Sequence, residues 1–437
     1  MKKKALNFVA AALAFGAFCV PAVHGQIRID SSQSLGQRIP IAVPPFATDA
    51  YAEAFSRELA LVISEDLAFS GLFNIVPETQ YAKGFAGFPN DPARIEFETW
   101  RSTPAEHLVY AYVATQGEQL VAECRLFDVL TSQQVIGKRL VSEKKWSRLL
   151  AHQFADEIIR FLTGVPGAAS SEICFSAGES GKKEIYIADY DGGSVTQVTR
   201  HGSISIKPKL SPDGKRIAYM SYKDRFPFLY VYDRATGVST PLSKRSGLNH
   251  APAWSPDGSK IALCLSKDGN TEIYLKNPDG TGEQRLTNNN ASDTSPAFSP
   301  DGRNIAFVSD RFGSPQIMAM DTSGSNDRRI SFQGGNSYDP AWSPDGKYIA
   351  YVAEKSGEGL EIYVMNADGS NPIRVTNSSG SNESPSWSPD SRHVAFSSSR
   401  DGGARVYVVT LETGEERPIK RLTNMRVEGP SWGPRRQ

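Results

Sequence analysis

The sequence predicts an all-β six-bladed β-propeller at the C-terminal end, over 171–437, with a small N-terminal α/β domain ahead of it. Three observations lead there. One phrase recurs six times: Lys207-Pro-Lys-Leu-Ser-Pro-Asp-Gly214, Ala251-Pro-Ala-Trp-Ser-Pro-Asp-Gly258, Ser295-Pro-Ala-Phe-Ser-Pro-Asp-Gly302, Asp339-Pro-Ala-Trp-Ser-Pro-Asp-Gly346, Ser384-Pro-Ser-Trp-Ser-Pro-Asp-Ser391 and the truncated Gly429-Pro-Ser-Trp-Gly-Pro434. Serine to serine, the first five copies are 44, 44, 44 and 45 residues apart. A period in the forties that carries several strand-like runs marks a propeller. Each repeat also holds four such runs, enough for one blade. Finally, the two ends of the array complement each other. Residues 172–175, 184–188 and 197–199 match strands two, three and four of the unit, while the closing 429–432 matches strand one alone. The strands balance only if the C-terminal one completes the opening blade, and a ring closed this way has no open sheet edge at the seam.

The unit that begins at Ala251 shows how one blade is written. Ala253 and Trp254 end a first strand. Ser255-Pro256-Asp257-Gly258 then turns the chain: proline presets φ, aspartate bonds the backbone ahead of it, and glycine accepts positive φ. Residues 260–265 alternate as a strand, 267–270 turn, 272–276 form the third strand, 277–280 turn again, and 284–287 form a short polar outer strand. A lone blade would expose both faces, so neighbours must stack to bury them. The Ser-Pro-Asp-Gly residues themselves read as turn formers without chemistry.

Ahead of the ring, residues 1–25 read as a secretory signal peptide: Lys2, Lys3 and Lys4, an apolar core from Leu6 to Val20, and small residues before Gln26. Residues 26–35 form a short strand-like peptide on a polar tether. Residues 36–164 make up the α/β domain, and 165–170 are a linker. In that domain 38–43 and 73–76 are strands. A helix from about Asp49, capped by Thr48, buries Phe55, Leu59, Ile63 and Leu67. Three consecutive strands follow at 107–114, 119–127 and 134–141. A second helix over 147–162 buries Leu150, Phe154, Ile158 and Phe161. Removing the three leader lysines leaves 45 basic and 48 acidic side chains, a net charge of −3, which excludes the basic balance of a nucleic-acid binder. The odd set Cys124, Cys174 and Cys264 suggests buried free thiols rather than a disulfide frame.

Catalytic signatures are missing from the sequence. There is no G-x-S-x-G nucleophile elbow and no phosphate loop, and none of His107, His152, His201, His250 or His393 stands in a recognisable relation to a serine. A binding role has positive support. The residues before each repeat proline should ring one mouth of the tunnel: Lys207, His250 with Ala251, Thr294 with Ser295, Tyr338 with Asp339, Glu383 with Ser384, and Glu428 with Gly429, with Asp293 one step further out. The carboxylates Asp293, Asp339, Glu383 and Glu428 come from four successive blades. Converging carboxylates suit Ca²⁺ or a basic loop of a protein partner. The N-terminal Gln26, Ile27, Arg28, Ile29 and Asp30 alternate like a strand that could add to a partner's sheet edge.

The layout resembles the TolB family of the Tol–Pal system. The resemblance covers essentially the whole chain after the leader. It rests on Ile27-Arg-Ile-Asp30, Ile39-Pro-Ile-Ala-Val-Pro-Pro-Phe46, Ser64-Glu-Asp-Leu67 with Ser70-Gly-Leu-Phe73, Glu184-Ile-Tyr-Ile-Ala-Asp-Tyr-Asp-Gly192 and the six repeat phrases. It implies a monomeric, non-enzymatic periplasmic adaptor that supports outer-membrane integrity and constriction at division. The propeller mouth would bind the Pal lipoprotein and so lie peripheral to the outer membrane. The peptide from Gln26 would bind TolA, and no cofactor would be required beyond a candidate Ca²⁺ in the tunnel. Thr294 falls at a Pal-contacting position, and Leu248 at a rim position where some relatives have histidine. The alternative reading is a stand-alone extracytoplasmic propeller that binds a glycan or a peptide.

Overall fold

The computed structural model describes residues 38–436 apart from 84, 86, 333–334 and 356–358. Residues 1–25, expected to be a leader, and the peptide carrying Gln26, Ile27, Arg28, Ile29 and Asp30 lie outside the described residues. The N-terminal body is a mixed sheet of six strands: β1 (Ile39–Ala42), β2 (Ala47–Thr48), β3 (Phe73–Ile75), β4 (His107–Gln116), β5 (Gln119–Asp128) and β6 (Gln134–Glu143). Its order is β3-β1-β4-β5-β6, with β2 beside β4. β1 pairs in parallel with β3 and β4, and β4, β5 and β6 run antiparallel. Along β4 the two-residue period sends Val109, Ala111 and Val113 to one face and Leu108, Tyr110 and Tyr112 to the other. Both faces are covered. Helices α1 (Glu53–Phe69) and α2 (Ser147–Thr163) cover the first, and an aromatic cluster of Tyr81, Phe85, Phe88, Phe97 and Trp100 covers the second.

Two local expectations are corrected here. Thr48 does not cap α1; it belongs to β2, and the helix starts after Ala52 without a side-chain cap. Asp49 orders this entry instead, accepting the amides of Tyr51 at 2.9 Å and Thr115 at 3.1 Å. On α2, Leu150, Phe154 and Ile158 are buried as their spacing predicts, but Phe161 is exposed and Leu162 takes its place in the core. α2 stops at Gly164, whose φ of 81° is the left-handed helix ending that glycine adopts readily.

The ring consists of six four-stranded antiparallel blades, as the repeats predict. Blade 1 is composite: Val427–Arg435 is its inner strand, beside Ser171–Glu179, Lys182–Asp189 and Thr196–Gln197. Blades 2 to 6 begin with Ser205–Leu210, Asn249–Trp254, Asp293–Phe298, Ser337–Trp342 and Asn382–Trp387. The seam pairs Val427 with Ala177, Glu428 with Ser176, Ser431 with Cys174 and Trp432 with Ile173. The Trp432 indole donates to Ser171 Oγ at 2.7 Å. The repeat turn is a small hydrogen-bonded unit. Ser255 Oγ donates to Asp257 at 2.6 Å and accepts the Lys260 amide at 2.9 Å, while Asp257 also accepts the Ser259 amide at 3.0 Å. In the fifth copy Ser391 replaces glycine, keeps a φ of 61°, and uses its hydroxyl to accept the Asp345 amide of the neighbouring blade. Cys124, Cys174 and Cys264 are buried and unpaired. Burial pushes the thiols of Cys124 and Cys174 up to about 12.

The two bodies share one core. α1 and α2 pack against residues of blades 1 and 6, including Tyr190, Val408, Leu422 and Trp432. The Phe69 ring lies 4.8 Å from the rings of both Tyr190 and His393 and 6.5 Å from Trp432, with the Arg417 guanidinium 4.3 Å over its face. Polar contacts surround this cluster. Asp66 accepts from Tyr190 and pairs with His152 Nδ1, both at 2.7 Å, and Asp156 accepts the Ala169 and Ser170 amides at 2.7 and 2.9 Å. His152, Asp189 and Asp191 bring ligand-type atoms within 4.8 Å of one another. Arg148, Arg421 and Arg436 already engage the two carboxylates, so this is an ion-pair lattice rather than a cation site. Among the described residues no helix is long and apolar enough to cross a membrane.

Two outcomes are expected. Deleting residues 427–437 should destabilise by several kcal/mol, since truncating a buried aromatic such as Trp432 costs about 3–5 kcal/mol alone. A urea melt matching that of the full chain would contradict the seam. The second concerns acid. Burial, with Arg392 and Arg417 nearby and Asp390 opposing, pushes the His393 imidazole down to about 4. In the unfolded chain the same ring titrates near its ordinary 6.5. The folded state therefore binds fewer protons between those values. Stability should fall as pH drops from about 6.5 to about 4, by up to about 3 kcal/mol from this group. His393→Gln should flatten that part of the slope in urea titrations, and an unchanged slope would refute the assignment.

Candidate functional site at the propeller mouth

Every inner strand starts at one mouth of the tunnel and is deformed there in the same way. The residue before the repeat proline is left-handed in all six blades: Lys207 (φ 52°), Ala251 (51°), Ser295 (50°), Asp339 (46°), Ser384 (56°) and Gly429 (60°). Non-glycine residues adopt this region at a cost of about 1–2 kcal/mol, and a following proline restricts them further. The kink ejects this residue and its proline from the strand ladder. Register skips from Ile206 to Lys209, His250 to Ala253, Thr294 to Ala297, Tyr338 to Ala341, Glu383 to Ser386 and Glu428 to Ser431. The ejected pairs, together with Lys209, line a narrow cavity of about 60 Å³. Six bulges turned inward thus build the tunnel wall from backbone, prolines and small side chains, with Lys207, Lys209 and Asp339 as the charged exceptions.

The residues singled out from the sequence fall into three layers. Asp339 lines the tunnel, as does Lys207. One position earlier, His250, Thr294, Tyr338, Glu383 and Glu428 remain paired with the second strand of their blades and form a partly exposed rim. Asp293, one position earlier again, is wholly buried. Its carboxylate accepts from Asn289 at 2.7 Å and from Arg311 at 3.0 Å. The equivalent Asn249 and Asn382 are buried too, holding Ser243 and Arg245 in one blade and Glu361 and Arg400 in the other. In blades 3, 4 and 6 this column latches the inner strand to polar side chains and loops around its start, and in blade 2 Ser205 bonds Ser221. Asp293, expected at the mouth, therefore serves the fold.

The electrostatics of the rim are mixed. Lys183 pairs with Glu428 at 2.6 Å. Desolvation and then Asp339 raise the Glu383 carboxyl above its ordinary range, against the pull of Lys207. Burial and Lys207 together push His250 down to about 4, and its Nε2 is buried without a partner. The four carboxylates proposed for Ca²⁺ do not form one donor set. Asp293 is turned into its own blade, Glu428 is held by Lys183, and Asp339 shares the tunnel with Lys207 and Lys209. A Ca²⁺ ion needs six to eight oxygens free of competing cations, so these residues do not fit it.

Comparison with known proteins follows this architecture. The TolB β-propeller domain model matches residues 159–360 and 335–437, and the TolB amino-terminal domain model matches 26–135. The chain belongs to the TolB family. The Tol-Pal system protein TolB of Ruegeria sp. (strain TM1040) is 35% identical over 215 residues, 48% of each chain. That of Methylobacillus flagellatus is 35% identical over 224 residues, 51% of each chain. The chain thus spans about half the length of the curated relatives it matches. A solved TolB from Acinetobacter baumannii superposes with a TM-score of 0.80 at 26% identity, covering 91% of this chain and 98% of that one.

In this TolB-family propeller the mouth face also carries residues that the sequence reading passed over. Antiparallel pairing places the end of each second strand beside the start of the first, so the loops that follow second strands surround the mouth. Phe226 is 62% exposed and Phe312 53%, both in such loops, and Phe332, after the outer strand of blade 4, is 69% exposed. Arg329 spans two of these rings, 5.5 Å from the Phe312 centroid and 5.1 Å from that of Phe332. Aromatic and arginine side chains in this exposed setting are typical anchors of protein interfaces. The latch column yields a prediction. Asp293→Ala should cost about 2–4 kcal/mol by leaving buried donors unsatisfied, whereas Asp293→Asn, which copies blades 3 and 6, should cost at most about 1 kcal/mol. Equal losses in urea denaturation would refute the latch.

Proposed function

We propose that this TolB-family chain is a non-enzymatic periplasmic adaptor of the Tol–Pal system. In this reading the propeller mouth binds the Pal lipoprotein. The peptide from Gln26 to Asp30 adds as a strand to TolA, and the pair of contacts supports outer-membrane integrity and constriction during division. What carries the reading is the separation of the two propeller faces. The inner strand of blade 1 runs from Gly429 at the mouth to Trp432 in the core shared with the N-terminal body. The mouth is therefore left clear of that body, and it combines a polar rim, a tunnel and exposed aromatic rings. A polar rim around apolar anchors is the anatomy of a protein-binding surface.

The reading assigns work to named residues. Phe312 and Phe332, bridged by Arg329, would supply apolar contact area. Glu383, exposed and desolvated on one side, would meet a basic group of the partner, and Thr294 would lie within the footprint. Reversing a charge at a complementary surface removes attraction and adds repulsion. Glu383→Lys and the double variant Phe312→Ala/Phe332→Ala should each weaken Pal binding by at least about tenfold. Because these side chains are exposed, the melting temperature should be nearly unchanged. Deleting residues 26–34 in the same protein should abolish TolA capture and leave Pal binding intact. Calorimetric titration with purified Pal and TolA domains decides it. Unchanged Pal affinity in both mouth variants would move the Pal site elsewhere, and TolA binding by the deletion protein would remove the peptide's role.

A further inference from the structure

Two residues beyond the kinked position, the six repeat phrases carry Lys209, Ala253, Ala297, Ala341, Ser386 and Ser431. Five of these are small. Of the six, only Lys209 is among the residues that line the tunnel. Its strand is fixed from the neighbouring blade, where the Trp254 indole donates to the Lys209 carbonyl at 2.9 Å. Among the described residues its ammonium has no hydrogen-bonded or ion-paired partner; the opposite charge that acts on it most strongly is that of Asp339, in the blade across the ring. Lys207 adds a second ammonium to the same cavity. Asp339 is the only carboxylate of the lining, and it is already engaged by Ser295 Oγ at 3.0 Å.

The lining itself therefore holds two cations against one anion, with the Glu383 carboxylate of the rim also acting on Lys207. An unpaired charge taken out of water is costly, and the cost is relieved when a counter-charge enters with it. Burial pulls the Lys209 ammonium below its ordinary range, with Asp339 opposing, as expected for a cation that lacks a close partner. Ser384 adds a hydroxyl to the wall. We propose that the tunnel binds an oxyanion, a carboxylate or a phosphate, between the ammonium groups of Lys207 and Lys209. The bound group balances the charge of the lining. Two sources share this chemistry: free inorganic phosphate, and the carboxylate of an acidic peptide. The proposal is independent of Pal and TolA binding.

The test is calorimetric titration of the full chain, at low chloride, with inorganic phosphate and separately with N-acetyl-glutamate amide. Saturable one-to-one binding of at least one probe is expected. Lys209→Met, which keeps the length of the side chain and removes its charge, should weaken that binding by at least about tenfold. If Lys209→Met fails to fold, Lys207→Ala reports on the more exposed ammonium and should weaken binding as well. Asp339→Asn should tighten it several-fold, the opposite of its effect on any bound cation. Binding of phosphate alone assigns the site to the free anion, and binding of the carboxylate alone assigns it to an acidic chain. Both outcomes support an oxyanion site. Absence of saturable binding with either probe would overturn the proposal. So would affinities untouched in the lysine variants, or weakened in Asp339→Asn.

Discussion

The hydrogen-bonded ladder between Val427–Arg435 and Ser171–Glu179 is the constraint on which the rest of this molecule depends. Its partners are far apart in sequence; Trp432 and Ser171, joined by one hydrogen bond, are 261 positions apart. Bringing such distant segments together costs loop entropy that grows only slowly with length, and the ladder and the buried indole oppose that cost. The same indole faces Phe69, His393 and Tyr190. Ring closure and attachment of the N-terminal body therefore draw on a single side chain. A ring that opened at this seam would also lose the Trp432 part of the surface on which α1 rests, leaving its contacts with blade 6.

The architecture was legible because the repeat phrase is a turn with a mechanism. Ser255, Asp257 and Gly258 each have a defined backbone task in it, and the same tasks recur a fixed distance along the chain. The α/β body was legible from periodicity, since β4 divides its side chains between two cores and α2 buries one stripe. Helix ends were less so. Thr48 has the chemistry of a cap but lies in a strand, held there by pairing with β4.

The mouth was only half legible. A residue before proline favours extended backbone, so nothing in Lys207, Ala251, Ser295, Asp339 or Ser384 announces a left-handed kink. The sign was the glycine at 429, in the copy that lacks a side chain where the others are strained. Asp293 was misread for a related reason. Charge suggested solvent, whereas aligning the copies column by column places it with Ser205, Asn249, Ser337 and Asn382, all buried. The exposed phenylalanines escaped notice because they lie in loops, where no period makes an apolar residue conspicuous.

Strain at six equivalent positions has a structural return. Each kink turns a dipeptide inward, and proline contributes no amide N–H that would need a partner in the tunnel. The wall is thereby nearly inert, and any charge on it stands out. In a repeat architecture, positions that agree between copies maintain the blades. Departures from the repeat are the degrees of freedom left for recognition. Lys207, Lys209 and Asp339 are such departures, opposed across one cavity by the ring's near-symmetry. Each blade contributes only its ejected pair and, in one blade, a single lysine, so substitution at one blade changes the charge of the whole tunnel. The closed ring thus separates the parts of the chain that hold the fold from those that set the chemistry of its mouth.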